Sequence, residues 1–264
     1  MNSRVATFRL VLVLTILAVL GVAWTGLKAD ASVVEVAAVQ SSVAPAGEPA
    51  AAESVTAEPV AAELPAEAAL FDAESWTPGE LGAVDPKIFA LALSAASTAV
   101  NRGDVEAPST LTVIDFSRPS TTKRMWVYDL KSRELLFEEL VSHGRGSGKT
   151  LATAFSNVPE SNQSSIGLYR AAETYVGKHG YSLRLDGLDR GFNDRARERA
   201  IVMHAADYVN EAAAKAQGYL GRSLGCPALR PEITRDVIDT VKDGGLIFAY
   251  YPDATWLESS AYLP

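Results

Sequence analysis

One cysteine and three histidines are the residues of this chain best suited to nucleophilic chemistry. Cys226 lies in Gly221-Arg222-Ser223-Leu224-Gly225-Cys226-Pro227-Ala228-Leu229. A lone cysteine is ordinarily an inert buried residue. Here it sits in a glycine-rich turn, where the backbone can approach a ligand closely. A helix is expected just downstream. Backbone N–H groups around Cys226, with Gly225 and Ser223 shaping the turn, would then face a developing oxyanion. A thiol nucleophile also needs a base or a cation beside it. His204 ends the apolar run Ile201-Val202-Met203, so it is placed to emerge from a strand edge. The competing reading of His204 is a satisfied core histidine.

Other groups compete for a role. His143 precedes Gly144-Arg145-Gly146-Ser147-Gly148-Lys149-Thr150. This run falls short of a phosphate loop, because the first glycine of G-x-x-x-x-G-K-T would occupy position 143. It reads instead as a flexible loop bordering a cleft, with His143 or Lys149 meeting substrate carboxylates. No two histidines stand four apart, so no zinc site, no other metal and no cofactor is expected. No G-x-S-x-G elbow is present. Ser156, Asn157, Ser164, Ser165 and Tyr169 form a polar cluster around an aromatic. It serves either the turns of a hairpin or a bound ligand. Arg222 and Arg184 are candidate carboxylate clamps, since a guanidinium grips a carboxylate with two bonds. The alternative is two ordinary surface arginines.

These groups must be held by a folded body, and the pattern places it at residues 85–264. Asp85-Pro86 reads as an N-cap followed by proline at the first helical position. Ile88, Phe89, Ala92, Leu93, Ala96 and Val100 recur at helical spacing up to Gly103. Short apolar runs then follow at 111–116, 125–130, 135–141, 167–171, 182–185, 201–204 and 246–251, each a candidate strand. A brief helical turn is expected over 193–199 and a helix over 231–241. Many short strands with few helices predict a β-rich α+β domain.

The ends differ in composition from the body. Residues 1–28 carry a charge of +3, residues 29–84 a charge of −10, and residues 85–264 only −1. A near-neutral body has no electrostatic footprint for nucleic acid. Arg4 and Arg9, the apolar run from Leu10 to Trp24, and Ala29-Asp30-Ala31 read as a signal peptide over 1–31. Extended to residue 27, the apolar stretch serves equally as a membrane anchor over 10–27. Both readings export the body to the periplasm or cell envelope. Residues 32–84 are rich in Ala, Glu and Pro, with Pro45, Pro49, Pro59, Pro65 and Pro78 and no basic residue. This composition predicts a disordered acidic linker. A single cysteine allows no intrachain disulfide.

The order of these pieces resembles a known family. Phe155-Ser156-Asn157-Val158-Pro159-Glu160-Ser161, Ser164-Ser165-Ile166-Gly167-Leu168-Tyr169 and His179-Gly180-Tyr181-Ser182-Leu183-Arg184-Leu185 are similar to one branch of the murein L,D-transpeptidase catalytic domain family. So are Ile201 to Val209 and the turn from Arg222 to Leu229. The resemblance spans about residues 108–252. It implies a small β-rich sandwich or barrel, with Cys226 as acyl-accepting nucleophile and His204 as its partner. It implies peptidoglycan stem peptides as substrate, cleaved after the third residue. An amine acceptor makes a cross-link, and water makes a carboxypeptidase or endopeptidase. A catalytically silent wall-binding module is the third reading. The commoner family turn is Ser-His-Gly-Cys, whereas this chain has Leu224 in place of the histidine. His179 is the candidate to supply a compensating ring from another strand.

Overall fold

The computed structural model describes residues 69–264. The expected signal or anchor and most of the expected linker lie outside the described residues. Eight strands form one sheet in the order β3-β2-β1-β8-β4-β5-β6-β7. They are β1 (Thr110–Asp115), β2 (Met125–Asp129), β3 (Glu134–Glu139), β4 (Gly167–Gly177), β5 (Gly180–Gly187), β6 (Val202–Ala205), β7 (Ala228–Leu229) and β8 (Leu246–Tyr250). The helices are α1 (Pro78–Leu81), α2 (Pro86–Asn101), α3 (Glu211–Gln217), α4 (Pro231–Val241) and α5 (Ala254–Ser259). The class is β-rich α+β, as the sequence predicts.

The sheet curls until its two edges meet. The N–H of Ser142, just past β3, donates to the carbonyl of Ala228 in β7 at 2.9 Å. Arg230, just past β7, grips Glu139 of β3 through two bonds of 2.7 and 3.0 Å. The result is a nearly closed barrel with few free strand edges, a form that protects against edge-to-edge pairing.

The central strands are buried on both faces. Leu111, Val113, Trp126, Tyr128, Leu246 and Phe248 face one cluster, which α2 covers with Phe89, Ala92, Leu93 and Ala96. Ile114, Met125, Val127, Ile247 and Ala249 face the other, which α4 covers with Val237, Ile238 and Val241. Strands buried on both sides read as continuous apolar runs rather than as alternation. That is why β1, β2 and β8 stand out in the sequence. The α2 helix begins as expected: the Asp85 carboxylate accepts from the Lys87 N–H at 2.8 Å, with Pro86 at the first helical position. No helix among the described residues is long and apolar enough to cross a membrane.

The structure corrects the expected end of the linker. Order begins by residue 69, not at Asp85. Trp76 is buried and meets Phe89 and Tyr128 edge-on, with ring centroids 4.8 and 5.6 Å apart. Leu81 and Val84 are buried in the same cluster. The Tyr128 hydroxyl donates to the Leu81 carbonyl at 2.7 Å. Composition predicts disorder here, but a few apolar side chains of this stretch dock onto α2 and β2. Replacing a buried tryptophan by alanine costs about 3–5 kcal/mol. Trp76→Ala is therefore expected to lower the denaturant midpoint of the body clearly. A midpoint equal to that of the parent would mean that residues 69–84 contribute nothing to the fold.

Candidate active site

The barrel brings the two chemical candidates to neighbouring strands. His204 of β6 pairs with Ser182 of β5 on one side and with Ala228 of β7 on the other. Cys226 stands two residues before Ala228. Its sulfur lies at the start of β6, where the Val202 N–H faces it, and 3.7 Å from the Ala200 carbonyl. Ala200 itself has φ +53°, a left-handed conformation unfavourable for a residue with a Cβ. The side chain of Cys226 is partly exposed. Among the described residues the thiol and the imidazole share no hydrogen bond. Catalytic pairs are often loose before substrate binds and tighten in the complex.

The imidazole is oriented from behind. His204 is 2% exposed, and its Nδ1 lies 2.8 Å from the Ala205 carbonyl oxygen. A carbonyl can only accept, so in the neutral ring Nδ1 carries the proton and Nε2 keeps its lone pair. His179, from the β4–β5 turn, stacks on His204 with centroids 4.2 Å apart and an interplanar angle of 23°. Burial pushes the His204 pKa below its ordinary value, and the neighbouring His179 and Lys178 push it the same way, against the Ala205 bond. Burial pushes the Cys226 thiol upward, while the Val202 N–H and Arg199 pull it back. Both shifts favour the neutral forms.

The turn that carries Cys226 is fixed by short polar bonds. Ser223 Oγ accepts from the Gly225 N–H at 3.0 Å and donates to the Cys226 carbonyl at 2.7 Å. Ser223 and Gly225 thus build the turn, and the Gly225 N–H is not free for an oxyanion. The Cys226 N–H has no backbone partner among the described residues and faces its own sulfur. It is a donor beside the sulfur, together with the Val202 N–H. Gly225 has φ +132°, and a Cβ there would lie 2.8 Å from both the Gln163 carbonyl and Ile201 Cδ1. Only glycine fits. The helix expected downstream of the turn is α4, which starts at Pro231 after the short β7.

Several expected site residues are placed elsewhere. Tyr169 is 3% exposed, with its hydroxyl donating to the Ser165 carbonyl at 3.0 Å, so it is core and offers no ligand surface. Asn157 spends its amide on Asp194 at 2.6 Å and on the Arg195 N–H at 3.1 Å, which makes it a loop fastener. Arg184 pairs with Glu173 at 3.1 Å and lies over Tyr175. Arg222, by contrast, stays beside the turn: it donates to the Gly148 carbonyl at 2.9 Å and lies over the Tyr219 ring. His143 is fully buried against Arg124 at 2.7 Å, and burial with that cation pushes it down to about 4. It cannot meet a substrate.

The sequence reading passed over Arg199. Its guanidinium donates to Ser156 O, Ser165 Oγ, Ser161 Oγ and Gln163 O, fastening the 156–165 loop beside the nucleophile turn. No spacing rule marks such a residue, because its partners come from a loop some forty positions upstream. Lysine keeps the charge but lacks the planar fork. Arg199→Lys is therefore expected to slow acylation of Cys226 by about tenfold or more, for loss of several charge-assisted bonds. Intact-mass timing of the adduct measures this, and an unchanged rate would separate the loop from the site.

Comparison with known proteins places this geometry. The model of the L,D-transpeptidase catalytic domain matches residues 80–250. Solved structures that the fold is similar to include an L,D-transpeptidase from Mycobacterium smegmatis, at 17% identity and TM-score 0.34, covering 55% of this chain and 60% of that one. Another is the helical cell shape determining protein Pgp2 (K307A mutant) from Campylobacter jejuni, at 12% identity and TM-score 0.38, covering 61% and 56%. A third is an L,D-transpeptidase from Stackebrandtia nassauensis, at 12% identity and TM-score 0.33, covering 64% and 68%. The chain spans about 60% of the length of the first of these relatives. No curated protein matches it. The chain belongs to the L,D-transpeptidase catalytic domain family.

Proposed function

We propose that the protein transfers acyl groups between peptidoglycan stem peptides outside the cytoplasm, with Cys226 as nucleophile and His204 as general base. The observation that carries this reading is the β6–β7 register, which sets an oriented imidazole with a free Nε2 one strand away from the only thiol. The chemistry follows from the resting state. As Sγ bonds to the scissile carbonyl carbon, His204 Nε2 takes the thiol proton. The Cys226 N–H stands ready for the carbonyl oxygen as it becomes negative. The C–N bond then breaks, and the imidazolium returns its proton to the leaving amine. The thioester passes its acyl group to an amine on a second stem peptide and regenerates the thiol. Water in place of that amine gives hydrolysis. No step requires a metal.

The test is incubation with disaccharide-tetrapeptide and dimeric muropeptides, read by mass spectrometry, beside a Cys226→Ala control. New dimers that depend on Cys226 are the expected result. Shortened peptides without dimers would make the enzyme a hydrolase. No change with either protein would leave a silent wall-binding module.

The pH dependence has a definite sign. His204 must be neutral to accept a proton, and its pKa is depressed by burial and by His179 and Lys178. Activity is therefore expected to persist below the pH where a free histidine protonates, and to fall only as pH drops through the depressed value. His179→Ala removes both cover and a like charge, so it should move the acid limb of kcat/KM to higher pH. An acid limb that stays in place would mean that the stacked ring does not act on His204.

A further inference from the structure

A second feature adjoins the turn that leads to Cys226 and has no part in the steps above. Between α3 and the turn before Cys226 lies a groove of about 420 Å³, lined by Arg145, Arg222, Tyr208, Tyr219 and Gln217. That size suits part of a peptide. Its charge is one-sided: no acidic side chain lines it. Lys149 adds a third cation, with Nζ 4.7 Å from the centre of the Tyr219 ring. The larger cavity at β4 and β5, about 660 Å³, differs in kind. There Arg170 and Arg197 are already neutralised by Asp186 and Glu173. Arg145 is exposed, and its guanidinium has no carboxylate partner among the described residues.

The groove is built as part of the nucleophile's surroundings. The Arg145 N–H donates to the Ser223 carbonyl at 2.8 Å, three residues before Cys226. Gly221 lets the chain pass against Tyr208, where a Cβ would lie 2.5 Å from both the Tyr208 Cβ and its carbonyl oxygen. Tyr208 borders both places. Its hydroxyl is pushed up to about 12, first by burial and then by the nearby Cys226. Two aromatic rings provide a flat wall, and the cations provide the charge that a carboxylate needs.

We propose that this groove holds a free carboxylate of the stem peptide whose carbonyl Cys226 attacks, with Arg145 as the charged contact and Tyr208 and Tyr219 as the walls. This rests on the substrate reading above and names the part of the site that recognises it. A carboxylate gripped there fixes the peptide relative to Sγ, so Arg145 acts as a binding and specificity residue.

The test is calorimetric binding of stem tetrapeptide to the full chain carrying Cys226→Ala, so that nothing turns over. The peptide is supplied as free acid, amidated at its C-terminus only, or amidated at its internal carboxylates only. The free acid is expected to bind about tenfold more tightly than one of the two amides, and that amide identifies which carboxylate is held. Arg145→Gln should remove most of the preference, and Arg145→Lys, which keeps the charge, should restore much of it. Equal binding of all three peptides would overturn the proposal. So would a preference that survives Arg145→Gln. If no form binds, and Cys226 in the unsubstituted chain turns over no muropeptide, the substrate reading itself fails. Turnover with no carboxylate preference sinks the groove alone.

Discussion

The hydroxyl of Ser164 ties together the pieces on which the site depends. It accepts from the Gly144 N–H and donates to the Gly225 carbonyl, both at 3.0 Å. The Ser164 N–H in turn donates to Ser147 Oγ at 2.8 Å. One small buried side chain thus joins the loop after β3, the loop before β4 and the nucleophile turn. A buried polar group left without a partner costs about 1–3 kcal/mol. Any displacement of the turn would strand several such groups at once. The turn therefore has one arrangement. The close pass of Gly225 under Gln163 follows from it.

The rest of the fold supports that arrangement at a distance. β6 has four residues and β7 only two, too little to hold a reactive geometry by themselves. Their positions are inherited from β5 and β4, and through those from β1, β2 and β8, which are packed on both faces. Closure of the barrel by Arg230 on Glu139 fixes the far side of β7. An imidazole on a paired strand and a thiol in the turn just before one, both backed by a close-packed core, keep little freedom. Loops alone would not give this.

What the sequence made legible follows the same physics. Strands buried on both faces announce themselves as apolar runs, so β1, β2 and β8 were readable, as was α4 with its apolar stripe. β7 was not, because two residues carry no period. α3 was missed although Asn210 caps its start and Gly218 closes its end in a left-handed conformation. α5 was missed too, although Asp253 caps it. Cys226, His204 and the stacked His179 come from local motifs that the family shares. Tyr169 and Asn157 sit in the same motifs, yet they serve the core and a loop. A motif marks a segment and does not say which of its side chains face the cleft. Arg199 and the buried Arg124–His143 contact depend on groups far apart in the chain, and no window of sequence holds them.

Burial biases the resting state of the pair. Desolvation disfavours charge, so it raises a thiol and lowers an imidazole. Each group alone would be less reactive for it. Together, the two shifts disfavour a resting ion pair. A thiolate at rest would be open to oxidants and stray electrophiles, since that form is the nucleophile in both cases. Arg199 and the Val202 N–H moderate the cost by favouring negative charge on sulfur. The Ala205 carbonyl does the same for positive charge on the ring. Desolvation thus favours the neutral pair, while the Val202 N–H, Arg199 and the Ala205 carbonyl are the partners that favour charge separation.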